Sequence, residues 1–319
     1  MAHRESAATG GNVVTPIAVG LIGVGFHART VHIPALDVVS ELRLRAMATS
    51  REETARDVAE RYRVQGYADY RELLDRTDVE AVIIATPPEM HQEICREALQ
   101  RGKHVFVESP GIPDVEGART VLDMARAYKR VVQVGFLLRY SAPFELLKAH
   151  LGAQPAPRLF CYEYFPFLAH VFNLALYLSG PVERVIAATR DAAGRTATVR
   201  FHNGDTAVII GRNLANCSID IERVQVSTER FFAAVEGRRR VRVVADMPPV
   251  DVAEWSLASS AATTYAGQVF AERFLEHSGA AAQLRGFARA IRDGVSPRST
   301  LEDAIETQLL AREIDGKVA

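Results

Sequence analysis

The sequence has little cysteine, a single tryptophan, and no excess of either charge. Its three cysteines, Cys95, Cys161 and Cys217, stand far apart with no C-x-x-C pair, which excludes both a disulfide framework and a thiolate metal cage. Buried free thiols are the reading that remains. Lys plus Arg is 38 and Asp plus Glu is 39, for a formal charge of −1. Neither sign gathers into a long block, so no nucleic-acid partner is expected. Arg238-Arg239-Arg240 is too short for a nucleic-acid groove and reads as a solvated hairpin tip. The longest apolar stretch, Phe165 to Leu178, is broken by Pro166, His170 and Asn173 and falls short of the roughly 20 residues a spanning helix needs. No membrane partner is expected. Met1 to Val14 holds no apolar run of signal-peptide length, which predicts a cytoplasmic protein. The nine histidines show neither H-E-x-x-H nor H-x₃-H spacing beside cysteines, so no metal is expected.

What the sequence does contain is apolar residue in quantity, 48% of 319 residues, enough for more than one core. The length suits about two domains of roughly 150 residues each. Residues 1–13, small and polar, read as a flexible tail, residues 14–140 as one domain, and residues 141–319 as a second. In the first, continuous apolar runs at Ile17–Ile22, Leu42–Ala48, Ala81–Ala85, His104–Val107 and Val131–Gly135 alternate with helical periods. The helices are expected over Thr54–Tyr62, His91–Gln100 and Asp114–Tyr128, with apolar residues three and four apart. Strands apolar on both faces alternating with helices predict β-α units around a parallel sheet. After a helix over Phe144–Leu151 and a connection at Gly152–Pro157, the pattern becomes alternating. Strands are expected at Leu159–Tyr164, Val182–Thr189, Ala197–Phe201, Thr206–Gly211, Ile219–Val226, Phe231–Val235 and Arg238–Ala245. Asn203-Gly204 signals a hairpin with positive φ at both central residues, and Glu236-Gly237 a second hairpin. Two helices, Val171–Leu178 and Ala281–Arg292, accompany this antiparallel sheet.

The first strand runs into Gly20-Leu-Ile-Gly23-Val-Gly25-Phe26-His27-Ala28, a G-x-G-x-x-A pattern at a strand-to-helix junction. There Gly23 permits the tight turn, Gly25 lets backbone approach a pyrophosphate, Ala28 lets helix and strand pack, and the helix N-terminus faces the anion. Strand two ends Met47-Ala48-Thr49-Ser50-Arg51, where a carboxylate would grip the ribose diol of NAD. The first acids, Glu52 and Glu53, fall inside the next helix. Thr49, Ser50 and Arg51 suit a 2′-phosphate instead, so NADP is expected over NAD. A second reading of Arg51 is a solvated charge at a helix start.

The chain resembles a known family at several further points. Gly23-Val-Gly25 with His32-Ile-Pro34-Ala-Leu36, Thr86-Pro87-Pro88-Glu-Met-His91, Glu108-Ser109-Pro110 and Gln133-Val-Gly-Phe136 are similar to the glucose-fructose oxidoreductase, inositol dehydrogenase and rhizopine-catabolism (Gfo/Idh/MocA) family. The resemblance is strong over residues 17–140. Beyond them it rests on the segment from His170 to Gly180 and on the late helix. It implies a Rossmann domain followed by an α/β domain whose mostly antiparallel open sheet forms homodimers or homotetramers. It also implies hydride transfer between a nicotinamide cofactor and, mostly, a sugar or polyol carbon, with Phe26, His27, Thr86, Pro87, His91 and Glu108 beside the cofactor. Arg139, Tyr140 and Tyr162 are candidates for holding substrate, while Arg139 and Tyr140 as domain-hinge contacts and the aromatic Tyr162 as core remain alternatives.

Two departures bear on the chemistry. The family ends its fifth strand in Glu-Lys-Pro, and here Ser109 replaces the lysine. Its second signature is Asp, then His four residues later, then Asp three after that. The corresponding residues here are Pro166, His170 and Asn173, so only the histidine is kept. A positioned general acid contributes roughly 10² to 10⁴ in rate, so sugar oxidation without a replacement would be severely slowed. Two routes keep an oxidoreductase: His170, helped by Tyr164, Tyr162 or Tyr140, handles the proton, with Ser109 a catalytic candidate at the lysine's position; or the substrate is an imine, already cationic, or an unusual carbonyl. A dinucleotide-binding sensor that has lost catalysis, and a glycosidase-like use of the cofactor without net redox change, are the alternatives.

Overall fold

The structure, a computed structural model, describes residues 15–154, 156–164, 168–192, 194–212, 222–229, 231–237, 240–245, 262–266, 275 and 278–318. The expected tail at 1–13, residues Phe165, Pro166 and Phe167, Cys217, the start of the strand expected from Ile219, and Arg238 and Arg239 lie outside these residues. Among the described residues no helix is long and apolar enough to cross a membrane.

Six parallel strands build the first sheet: β1 (Ile17–Ile22), β2 (Leu42–Ala48), β3 (Gln65–Tyr67), β4 (Ala81–Ile84), β5 (His104–Glu108) and β6 (Val132–Gly135). Their order is β3-β2-β1-β4-β5-β6, the doubly wound arrangement in which the chain reverses direction across the sheet between β1 and β4. Alternate residues feed two cores. Val19, Leu21, Ala81, Ile83 and Phe106 face one side; Ile22, Val82, Ile84, Val105 and Val107 face the other. Burial on both faces is why these strands read as unbroken apolar runs. Helices α1 (Ile33–Val38), preceded by a π-helical turn at Ala28–His32, and α2 (Glu52–Tyr62) follow β1 and β2. Short α3 (Tyr70–Leu74), then α4 (His91–Gln100) and α5 (Val115–Ala127), cover the opposite face. Asp114 starts α5 by accepting the Gly117 N–H at 2.6 Å, an N-cap of the sort that fixes a helix start.

The second sheet has eight strands, β7 (Leu159–Tyr164), β8 (Val182–Asp191), β9 (Gly194–Phe201), β10 (Thr206–Arg212), β11 (Glu222–Ser227), β12 (Phe231–Glu236), β13 (Arg240–Ala245) and β14 (Ala262–Ala266), in the order β14-β13-β12-β11-β7-β10-β9-β8. It is mostly antiparallel, with one correction to the expectation: β7, at its centre, pairs parallel with β10 and antiparallel with β11. The Asn203-Gly204 hairpin also differs in detail. Only Gly204 takes a positive φ, +91°, because the Asn203 side chain accepts the Asp205 N–H at 3.0 Å and closes the turn itself. Helices α6 (Ala142–Leu151) and α7 (Leu168–Ser179) pack beneath this sheet.

Packing departs from chain order at the C-terminal end. Helix α8 (Ala280–Asp293) buries Ala281, Leu284, Phe287 and Ala288 against the first sheet. Helix α9 (Leu301–Lys317) places Leu301, Ala304 and Ile305 in the first sheet's core and Leu310 and Ile314 in the second's. One helix thus ties the two halves together.

Candidate active site

All six strands of the first sheet end on one side, and the cleft opens there, at the point between β1 and β4 where the winding reverses. Open α/β sheets bind ligands at this place. Gly23 takes φ +90°, and a Cβ on it would lie 2.6 Å from the Ala85 carbonyl oxygen and 2.8 Å from the Thr86 nitrogen. The turn can rest on the end of β4 only because that atom is missing. Gly25 is different: no atom lies within 4 Å of where its Cβ would be. Its bareness serves no contact inside the protein and leaves room for a ligand at a helix N-terminus.

A cleft of about 650 Å³ extends from Gly23 and Gly25 past Thr49, Ser50 and Arg51 to Thr86 and Pro87. The structure therefore brings together the predicted residues of the β1, β2 and β4 ends. Arg51 is exposed on its rim and makes no ion pair among the described residues. Sequence reading missed Asp69 and Arg71, which line the same cleft. Both are committed elsewhere, since Asp69 Oδ1 accepts the Arg71 N–H at 2.9 Å and the Arg71 guanidinium lies 2.7 Å from Glu93. Phe26, 83% exposed, and His27 stand on the first helical turn beyond Gly25.

His91 is placed differently from expectation. It is fully buried, with Nδ1 2.6 Å from the Gly111 carbonyl oxygen and Nε2 2.9 Å from that of Thr86. It pins the Thr86-Pro87 turn rather than facing the cleft.

At the end of β5 the buried carboxylate of Glu108 meets two imidazoles. His32 Nε2 lies 2.6 Å and His27 Nε2 3.5 Å from Glu108 Oε1. Burial pushes the Glu108 carboxyl up, but hydrogen bonds with His27 and His32 outweigh it and hold the group well below the usual carboxylate range. The same hydrogen bond raises His27 above its ordinary value. His32 carried no site role in the sequence reading. Five residues separate it from His27, a spacing that ordinary helical reasoning does not place on one face.

Ser109 and His170, distant in sequence, are joined: Ser109 Oγ is 2.9 Å from His170 Nε2. The Ser109 N–H donates to Glu108 Oε2 at 3.1 Å, and the His170 ring stands edge-on to Phe136 at 6.1 Å between centroids. The position where the resemblance expects a lysine thus holds a hydroxyl in contact with the one histidine kept from the second signature.

The remaining candidates are not at the cleft. Arg139 is 5% exposed and bonds Asn173 Oδ1 at 2.7 Å, Asp303 Oδ1 at 2.9 Å and the Arg298 carbonyl at 3.0 Å. It joins the 3-10 turn Leu137–Tyr140 to α7 and α9 across the seam between the two halves, as the hinge alternative describes, and stands buried rather than presented to a substrate. Tyr140 is likewise buried, with its hydroxyl 3.2 Å from Ser299 Oγ. Tyr162 and Tyr164 point with Phe160 from one face of β7 into the second core. Complete burial pushes the Tyr162 hydroxyl up, which removes it from proton exchange with a substrate.

Comparison with known proteins agrees with this architecture. An inositol 2-dehydrogenase of Streptomyces avermitilis is 34% identical over 188 residues, 57% of this chain and 54% of that protein. The match therefore spans about half of that relative. An uncharacterized oxidoreductase of Bacillus subtilis, YrbE, is 24% identical over 260 residues, 71% of this chain and 76% of that one. Among solved structures, a dehydrogenase from Chromobacterium violaceum superimposes with a TM-score of 0.82 at 20% identity, covering 95% of this chain and 96% of that one. A 3-ketoreductase from Actinomadura kijaniata, in complex with NADP and TDP-benzene, does so at 0.78 and 20% identity, with 95% and 98% covered. Both likenesses concern the fold. Residues 17–136, from the first strand through the glycine turn, Glu108 and the sixth strand, match the GFO_IDH_MocA oxidoreductase family with its NAD-binding Rossmann fold, so the first sheet and its helices are similar to the dinucleotide-binding part of that family.

Proposed function

We propose that the chain is an NADP-dependent oxidoreductase that transfers hydride to or from a small carbonyl or imine. The observation that carries the reading is the Ser109–His170 contact of 2.9 Å at the end of β5, the strand beside β4, whose end lines the cleft. The inositol dehydrogenase relative and the NADP-bound ketoreductase neighbour support the same class of chemistry. NADP is favoured over NAD because the end of β2 offers Thr49, Ser50 and the unpaired Arg51. Among the described residues that line the cleft the one carboxylate, Asp69, is occupied in capping α3. The bare Gly25 and the helix N-terminus behind it fit a pyrophosphate.

The bound nicotinamide supplies or accepts the hydride. The chain manages the proton. In the reducing direction a C–H bond forms at the carbonyl carbon, the π pair moves to oxygen, and the Ser109 hydroxyl donates its proton there. His170 Nε2 returns a proton to Ser109. The relay replaces a lysine ammonium with a neutral hydroxyl reprotonated by the Nε2–H of His170, which acts as the acid in this direction, and suits substrates that carry their own positive charge or activation. Assembly of copies through the outer face of the second sheet, where Leu159 and Ile186 stand about half exposed at 52% and 45%, belongs to the same reading.

The test is a fluorescence titration with NADPH and NADH followed by turnover against ketones, imines and polyols. His170→Ala is expected to lower kcat by roughly 10²- to 10⁴-fold with the dinucleotide Kd unchanged. Tight NADPH binding with no consumption by any substrate would favour a sensor and overturn the reductase reading.

A further inference from the structure

We propose that His27, His32 and Glu108 form a binding site for one divalent transition-metal ion of the zinc class, open to solvent on the His27 side. In a regular α-helix, side chains five residues apart are rotated about 140° from one another and cannot share a ligand. Here the helix after Gly25 contains a π-helical turn, Ala28–His32, in which the Ile33 N–H bonds the Ala28 carbonyl. The extra residue in that turn brings the imidazoles of His27 and His32 to the same carboxylate. Such π turns are rare and concentrate at functional sites.

The three donor atoms lie within 4.8 Å of one another. Ligands about 2.0–2.2 Å from a tetrahedral zinc are separated by about 3.4 Å, so the observed 2.6 and 3.5 Å contacts to Glu108 Oε1 need only small rotations. At 2.6 Å the lone pairs of Nε2 and Oε1 cannot face each other bare; a proton or a metal cation must lie between them. Two imidazoles and one carboxylate select zinc, cobalt, nickel or ferrous iron over the hard cations magnesium and calcium.

The surroundings are those of a held site with one open side. His32 and Glu108 are shielded, at 0% and 12% side-chain exposure, whereas His27 is 48% exposed. A fourth ligand can therefore reach the ion from solvent on the His27 side, the arrangement of catalytic rather than structural zinc. The Ser109 N–H holds Glu108 Oε2 at 3.1 Å, and His32 is set edge-on against Phe106, 5.5 Å between centroids. Gly135 makes the space: a Cβ there would lie 3.0 Å from Glu108 Oε1. The site sits one residue from Ser109, where a divalent ion restores the positive charge that the missing lysine would bring; that consequence rests on the proposed function, while the metal site itself does not.

The test uses the full chain stripped with a chelator, without dinucleotide or substrate, so that failure of the redox reading cannot affect it. Titration with Co²⁺ is expected to give the intense visible absorption of four-coordinate cobalt, saturating at one equivalent per chain, with Zn²⁺ abolishing the signal and elemental analysis finding one zinc. His27→Ala, a partly exposed position that leaves the His32–Glu108 pair intact, is expected to fold as wild type by circular dichroism and to weaken binding at least tenfold. Glu108→Gln should weaken it further. His202→Ala, an exposed histidine far from the cluster in the β9–β10 turn, should change nothing. Absence of the cobalt signal in the wild type, or its full persistence in His27→Ala, overturns the proposal.

Discussion

The two glycines of the first turn should fail in opposite ways when given a methyl group. At Gly23 the new Cβ would press on the backbone of Ala85 and Thr86 at 2.6–2.8 Å, at φ +90°. Left-handed backbone costs about 1–2 kcal/mol for a non-glycine residue, and backbone overpacking adds about 1–3 kcal/mol. Gly23→Ala should therefore destabilise the fold by about 2–5 kcal/mol in chemical denaturation. At Gly25 the methyl meets no protein atom within 4 Å. Loss of unfolded-chain freedom then makes Gly25→Ala neutral or more stable by about 0.4–1 kcal/mol. The same methyl would stand between backbone N–H groups and a pyrophosphate. Each hydrogen bond to a charged group is worth about 1.5–3 kcal/mol, so losing one reduces NADPH affinity by roughly 10- to 100-fold. Denaturation and NADPH fluorescence titration on both variants measure the two effects separately. Wild-type affinity in Gly25→Ala would refute the placement of the dinucleotide, and wild-type stability in Gly23→Ala would refute the packing argument.

Three further outcomes are expected. Arg51→Ala should weaken NADPH by roughly 10- to 100-fold and leave NADH nearly unchanged, and equal losses for both would remove Arg51 from 2′-phosphate recognition. Arg139→Ala removes a buried guanidinium that bonds the partly exposed Asp303 and the buried Asn173 and should cost about 3 kcal/mol of stability with little change in KM; a large KM effect in a stable protein would restore it as a substrate anchor. In chelator, the stability difference between wild type and Glu108→Gln should depend on pH. Glu108 is lowered from 4.5, so its contribution is present above that pH and lost on acidification. His27 is raised from 6.5, so its share is present below that pH and lost as pH rises through the folded value. The difference should peak between the two, and a flat profile would contradict the pairing.

The first domain was legible because strands buried on both faces leave unbroken apolar runs; Ile17–Ile22 and Leu42–Ala48 have the expected bounds. The three residues of β3, Gln65-Gly66-Tyr67, contain no such run, and nothing in their composition announces a strand. Helix α9 was missed for a different reason. It serves two cores in succession, and with Thr307 and Gln308 buried between them its inward residues do not form one stripe. Alternation in Leu159–Tyr164 reveals a strand but not its direction, so the parallel β7–β10 pairing was invisible. At the site, the glycine turn and the Ser50-Arg51 end of β2 could be read from local chemistry. His32 could not, since its partnership with His27 depends on a π turn and its partnership with Glu108 on the sheet. For Arg139 and Tyr140 the sequence leaves both substrate and hinge roles open, and only the tertiary contacts with Asp303 and Ser299 show what they hold.

The most direct measurement is isothermal titration of the wild-type chain with NADPH and, separately, NADH. One NADPH per chain, bound at least tenfold more tightly than NADH, is the predicted result. Absence of binding for both dinucleotides at generous concentration would contradict the account at its root.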